Sequence, residues 1–215
     1  MLPLDQLKEL LYVAVIADAL DSMGFRQQAV SIPFQAYTGI AKLAGRCKTT
    51  LWADMYDEDK HPYELELEAV DSCRSGDILI CAAGGSRRSG IWGELLSTAA
   101  MNSGCCGAIV HGAVRDIEKM RAMQFPVLAT DKSPYDSLHR QRVVDVDVKV
   151  VIDGVVFAPN DLVFADEDGL VVIPAHIEEE VIRKALEKVQ AENITRDAIR
   201  EGMKATAAYE KYGVL

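Results

Sequence analysis

Two short stretches of the chain carry side chains whose types and spacing could do chemistry. Glu94 follows a loop with glycines at 84, 85, 90 and 93, and Arg115-Asp116 comes after twenty intervening residues. Arginine presents a planar, permanently charged fork that fits a carboxylate. Aspartate offers hard oxygen atoms suited to Mg²⁺ or Mn²⁺. A helix beginning at Glu94 would leave its first backbone N–H groups unpaired, and these, with the helix dipole, would attract an anion. Gly93 would let such a ligand approach the backbone closely. A plainer reading is available at each point. The glycine-rich loop could be a simple connection, Asp116 could cap the helix it begins, and Arg115 could be a solvated neighbour.

These residues need elements to position them. The run Asp77-Ile78-Leu79-Ile80-Cys81-Ala82 follows a turn at Ser75-Gly76 and reads as a buried strand. A helix is expected over 94–102, a second strand over 107–111, a second helix over 116–123 and a third strand over 126–129. This βαβαβ order predicts a parallel centre, with the loops at 84–93 and 112–115 emerging together at the strands' carboxyl ends, where ligands gather. Upstream, residues 5–23 have the apolar spacing of one or two helices ending at Gly24. A strand region interrupted by Gly45 is expected over 38–53, and a short helix over 62–70. Downstream the pattern turns antiparallel. Strands are expected over 143–152, 155–157, 161–165 and 169–173, with turn signals at Asp153-Gly154 and Asp168-Gly169. A long polar helix from 177 to about 201 follows. The expected organisation is one α/β domain over 1–215, with 177–215 as a C-terminal helical extension.

The bulk numbers set limits. The net charge of -10 disfavours non-specific nucleic-acid binding, because an acidic surface repels phosphate. Five cysteines with no CxxC pair read as reduced, inert thiols. No apolar run approaches the roughly 20 residues needed to span a bilayer. The acidic, amphipathic N-terminal stretch lacks the marks of a secretory signal. A cytoplasmic protein without membrane partners is the expectation.

The stretch GGSRRSGIWGELLSTAAMNSGCCGAIVHGAVRDIEKMRAMQFPV resembles the RraA-like family, which includes 4-hydroxy-4-methyl-2-oxoglutarate aldolases. Its key element is an acidic residue, twenty residues, then Arg-Asp. Weaker likeness extends to Asp18-Ala19-Leu20, to 160–169 and to the tail 209–215, so it covers nearly the whole chain. The resemblance implies a layered α/β/β sandwich of the swivelling-domain type, assembled as a homotrimer or homohexamer. It implies that the amides of Gly93, Glu94, Leu95 and Leu96 hold a substrate carboxylate, that Arg115 binds the pyruvyl group, and that Asp116 holds Mg²⁺ or Mn²⁺. Glu94 would act mainly through metal-bound water. Aldolases of the family often carry aspartate there, and glutamate is one methylene longer. Glu192 is the candidate for a late glutamate that reaches the metal of an adjacent subunit. The plainer reading pairs it with Arg196 along its helix.

Other departures concern His111, at a position where Asp or Asn is common, and Asn160, which replaces a usual glycine. His111 reads as a hydrogen-bonded structural residue or a catalytic one. Arg87 and Arg88 read as loop charges or as partners for a second anionic group, with Asp18 a further candidate for the substrate's distal half. The implied reaction is retro-aldol cleavage of a 4-hydroxy-2-oxo acid through a metal-stabilised enolate, releasing pyruvate without a Schiff base. Oxaloacetate decarboxylation would be a side activity. The alternative is a non-catalytic inhibitor of ribonuclease E. A methyltransferase acting on a menaquinone precursor is disfavoured, because no convincing glycine signature for a nucleotide-like cofactor is present.

Overall fold

The computed structural model describes residues 2–214; Met1 and Leu215, the last residue of the tail motif, lie outside the described residues. The apolar spacing at the start resolves into two helices, α1 (Leu4–Leu10) and α2 (Val13–Ser22). They break at Leu11 and Tyr12, which are both extended. The first amide of α2 is capped from a distance, since Val13 N donates to Asp166 Oδ2 at 2.8 Å.

The centre of the fold is a nine-stranded mixed sheet. Strand β2 (Leu43–Asp54), helix α3 (Glu64–Asp71), β3 (Asp77–Ala82), helix α4 (Glu94–Asn102), β5 (Gly107–Val114), helix α5 (Ile117–Ala122) and β6 (Val127–Lys132) alternate along the chain. Strands β2, β3, β5 and β6 lie side by side and parallel, as the buried runs separated by helices predict. A short β1 (Gln35–Ala36) adds antiparallel to β6. The strand expected to break at Gly45 runs straight through it. Glycine is needed there for close packing, because a β-carbon at Gly45 would sit 2.5 Å from the Gly76 carbonyl oxygen.

The late strands are antiparallel, as expected. β10 (Leu162–Asp166) pairs with β2, and β11 (Gly169–Ile173) pairs with β10. The single strand expected over 143–152 is instead two. β7 (Gln141–Val146) joins β2, while β8 (Val150–Ile152) forms a separate hairpin with β9 (Val155–Phe157). Asp147, at φ 55°, turns the chain between them. A long helix α6 (Glu178–Arg200) and a shorter α7 (Ala205–Tyr212) follow, within the stretch expected as a helical extension.

Burial divides into layers. One sheet face packs Leu79, Cys81, Ala108, Val110 and Val114 against the α3, α4 and α5 side. The other face packs Ile78, Ile80 and Ile109 against the β8–β9 hairpin through Val150, Ile152 and Phe157. The third cluster joins α1, α2 and α6 to β10 and β11. This is the α/β/β layering that the family resemblance implied. No helix among the described residues is long and apolar enough to cross a membrane.

Candidate active site

The two loops at the carboxyl ends of β3 and β5 meet more tightly than loops would. Residues Gly90–Trp92 form a short strand, β4, which the sequence pattern did not suggest. It pairs with the end of β5, placing Gly90 beside Ala113 and Trp92 beside Val114. β5 thus continues to Val114 through residues expected to be a loop, and Arg115 N donates to Trp92 O at 2.9 Å. The turn into α4 is locked from inside. Trp92 Nε1 donates to Ser97 Oγ at 2.8 Å, and Ser97 Oγ donates to Gly93 O at 2.9 Å.

This ladder brings the start of α4 against Arg115 and Asp116. Gly93 has φ -158°, extended backbone open to any residue, so its glycine is required by space. A β-carbon there would lie 3.3 Å from Arg115 Cγ as well as against the Asp116 carboxylate. Asp116 sits at φ 55°, in the left-handed region that costs a non-glycine residue strain. It makes no side-chain hydrogen bond to the helix it precedes, so the capping reading fails. Its carboxylate lies 3.4 Å from Glu94 N, at the head of the neighbouring helix. Sequence-predicted Gly93, Leu95, Leu96, Arg115 and Asp116 line one cavity of about 250 Å³. Glu94 stands beside it, with Oε2 3.7 Å from Lys119 Nζ.

Sequence reasoning missed the opposite wall. Arg115 donates to Asp136 Oδ2 at 2.5 Å, and Tyr63 Oη donates to Asp136 Oδ1 at 2.6 Å. Partial burial pushes the Asp136 carboxyl up, but the Tyr63 hydroxyl, the Leu138 amide and the Arg115 guanidinium outweigh it, holding the group below the ordinary carboxylate range. Burial, then the bond to Asp136, pushes the Tyr63 phenol to about 12, so it remains a donor. Tyr63 is also in the left-handed region, at φ 67°. Glu66 is 7% exposed in the same wall, and burial followed by the Asp136 charge pushes its carboxyl to about 8. A neutral acid thus stands beside an ionised one. Nothing local marks these residues, because Tyr63, Glu66 and Asp136 converge only through the packing of α3 beside the 133–140 turn.

The remaining candidates lie elsewhere. His111 projects to the opposite sheet face, near Phe34 and Gly85, and burial lowers its pKa. Its Nδ1 is buried and has no hydrogen-bond partner among the described residues. Arg87 is paired with Asp131 at 2.6 Å, and Arg88 stacks 4.4 Å over the Tyr56 ring. Glu192 accepts a short hydrogen bond from Tyr12, while Lys188 bridges to Asp18 at 2.7 Å. Within the single chain, Glu192 and Asp18 lie at the α2–α6 seam, away from the cavity. Arg196 bonds Asn193 rather than Glu192. Asn160, at φ 69°, holds the left-handed position where glycine is usual, and asparagine tolerates it.

Among the described residues, no group of three His, Cys, Asp or Glu side chains is placed to hold a metal ion. Asp116 supplies a hard carboxylate to the cavity lining, and Glu94, beside the cavity, would add a second through water. That set fits Mg²⁺, which commonly keeps several waters and takes one or two carboxylates from the protein.

A family model described as RraA-like, Aldolase/RraA, matches residues 13–172. The chain belongs to the RraA-like family. Protein DlpA of Legionella pneumophila is 28% identical over 199 residues, which is 93% of this chain but 32% of that longer protein. The 4-hydroxy-4-methyl-2-oxoglutarate aldolase of Thermus thermophilus is 31% identical over 147 residues, covering 68% of this chain and 85% of the relative. Among solved structures, Streptomyces coelicolor RraAS2, described as an unusual member of the RNase ES inhibitor RraA protein family, superposes with a TM-score of 0.77. It is 27% identical, over 91% of this chain and 98% of that one. Aldolase and inhibitor names both occur among these RraA-like relatives, so the choice between them rests on the site.

Proposed function

We propose that this RraA-like chain is a divalent-metal-dependent lyase that cleaves a 4-hydroxy-2-oxo acid and releases pyruvate, with oxaloacetate decarboxylation as a side activity. The observation that carries the reading is the Asp116 carboxylate set against Gly93 at the head of α4, beside Arg115, in a cavity of about 250 Å³. Asp116 holds its place through a left-handed backbone, of the kind found at active sites and ligand clamps.

In this reading the free amides of Leu95 and Leu96 receive the substrate carboxylate. Arg115, held by Asp136, directs its guanidinium at the 2-oxo oxygen, where negative charge gathers as the C3–C4 bond breaks. Such a preorganised donor is worth roughly 3–4 kcal/mol in the transition state. Asp116, with Glu94 through water, would hold Mg²⁺ or Mn²⁺, which supplies Lewis-acid polarisation of the 2-oxo acid when bound. Glu94 takes the C4 hydroxyl proton through a water molecule. The C3–C4 electrons pass into the 2-oxo group, the carbonyl fragment leaves, and the proton returns to C3 to give pyruvate. Loss of CO₂ from oxaloacetate yields the same enolate, so one site serves both reactions.

The test is a screen of 2-oxo acids with Mg²⁺ or Mn²⁺, following pyruvate with lactate dehydrogenase. EDTA-sensitive pyruvate release from at least one 4-hydroxy-2-oxo acid is the expected result, and none from any of them would reject the lyase. The second reading, an inhibitor of ribonuclease E, draws on the likeness to RraAS2. Capture of that nuclease by a chain without lyase activity would favour it.

A further inference from the structure

Helix α3 carries glutamates at alternate positions, Glu64, Glu66 and Glu68, and buries only the middle one. Glu66 is 7% exposed and lines the cavity. The Ser137 hydroxyl, next in the chain after Asp136, faces its carboxyl. The charged groups around it are already paired: Arg115 with Asp136 and, on the β7 side of α3, Arg142 with Asp59 at 3.0 Å. A carboxyl buried beside an ionised one keeps its proton near neutral pH, as the rise to about 8 at Glu66 records. An acid poised close to the working pH is suited to proton transfer.

Four other titratable side chains line the cavity, and each is engaged. Asp136 is held ionised by Tyr63, the Leu138 amide and Arg115, and the Tyr63 hydroxyl donates to it. Arg115 and Asp116 serve the 2-oxo group and the metal in the reading above. Glu66 is left with a proton to give. Its place is beside the Asp136–Arg115 pair, and the carbon next to the 2-oxo group is C3.

We propose that Glu66 is the general acid that protonates C3 of the enolate once the C3–C4 bond has broken. This rests on the lyase reading. The enolate electrons form the new C–H bond with the Glu66 proton, the 2-oxo group is restored, and Glu66 is left ionised beside Asp136. Like charges so close repel, so Glu66 regains a proton from solvent. That uptake balances the proton lost from the C4 hydroxyl through water at Glu94, so the return of hydrogen to C3 is a net one.

The test follows hydrogen at C3. In deuterium oxide with Mg²⁺, the parent protein exchanges the methyl hydrogens of added pyruvate for deuterium, read by proton NMR. Glu66→Gln keeps the shape, loses the acid and slows that exchange by about 100-fold or more. Glu66→Asp, still an acid, recovers part of it. In rapid quench with 4-hydroxy-2-oxoglutarate, Glu66→Gln loses far less in first-turnover release of glyoxylate than in exchange, because cleavage precedes the Glu66 step. Parental exchange in folded Glu66→Gln, or no exchange by a parent protein that cleaves, overturns the assignment and leaves the lyase standing. Equal losses in cleavage and exchange mark a structural role and overturn it too. Pyruvate from no 4-hydroxy-2-oxo acid removes the lyase reading and the assignment with it.

Discussion

A β-carbon added to Gly93 would sit 2.6 Å from Asp116 Oδ2, closer than carbon and oxygen can approach without displacement. One contact therefore ties the start of α4 to the carboxylate that follows β5. Gly93→Ala should push Asp116 out of place while leaving the exposed part of α4 intact. A shift of about 1 Å in such a group can cost about 100-fold in rate. The expected outcome is a fall of that order in kcat/KM, with a far-UV circular dichroism spectrum like the parent's. Parental activity would show that the Asp116 position is not critical.

Arg115 owes its orientation to Asp136, and Asp136 in turn to Tyr63, through bonds of 2.5 and 2.6 Å. Tyr63→Phe removes one donor and keeps the ring. It should reduce kcat about 3- to 10-fold, consistent with the loss of one charge-assisted hydrogen bond. Asp136→Asn, which also releases the guanidinium, should lose more. Steady-state kinetics at saturating substrate measures both, and a larger loss in Tyr63→Phe than in Asp136→Asn would contradict this order of dependence.

Glu66 makes stability depend on pH in an unusual direction. Its carboxyl is raised from the ordinary 4.5 to about 8 in the folded chain. Between those values the folded protein holds a proton that the unfolded chain has released. Its contribution is thus full below about 4.5 and is lost as pH rises towards 8, by up to about 1.4 kcal/mol per pH unit. Glu66→Gln cannot ionise, so it should gain in melting temperature relative to the parent at pH 8 and lie close to it at pH 5. Thermal unfolding at the two pH values decides this, and a difference independent of pH would contradict it.

The central βαβαβ unit was legible because its strands are unbroken apolar runs separated by amphipathic helices. Leu79 to Ala82 can hardly be anything but interior. The errors have physical causes. Alternation over 143–152 continues across Asp147, whose left-handed backbone sends the second half to another sheet, and a periodicity of two cannot register that bend. β4 is only Gly90–Trp92, too short for a pattern, and its pairing with β5 is a tertiary event. The pair Arg115-Asp116 was legible because, with Glu94, it matches the motif of the RraA-like family. Its supporting wall was not, because Glu66 and Asp136 are seventy residues apart and each looks like an ordinary surface acid.

At the seam of α2 and α6, Tyr12 donates to Glu192, and burial followed by that bond raises the phenol to about 12. Tyr12→Phe should leave the Glu192 carboxylate short of a donor and cost about 1–2 kcal/mol. Urea unfolding monitored by circular dichroism measures the loss, and a midpoint equal to the parent's would show the seam does not depend on this bond.

The most direct measurement compares pyruvate release by the parent protein and by Asp116→Ala, each with Mg²⁺ and with excess EDTA. EDTA-sensitive release by the parent and none by the variant, with both chains folded, is the predicted result. Full, EDTA-sensitive activity in Asp116→Ala would contradict the assignment of this carboxylate to the metal and, with it, the site as a whole.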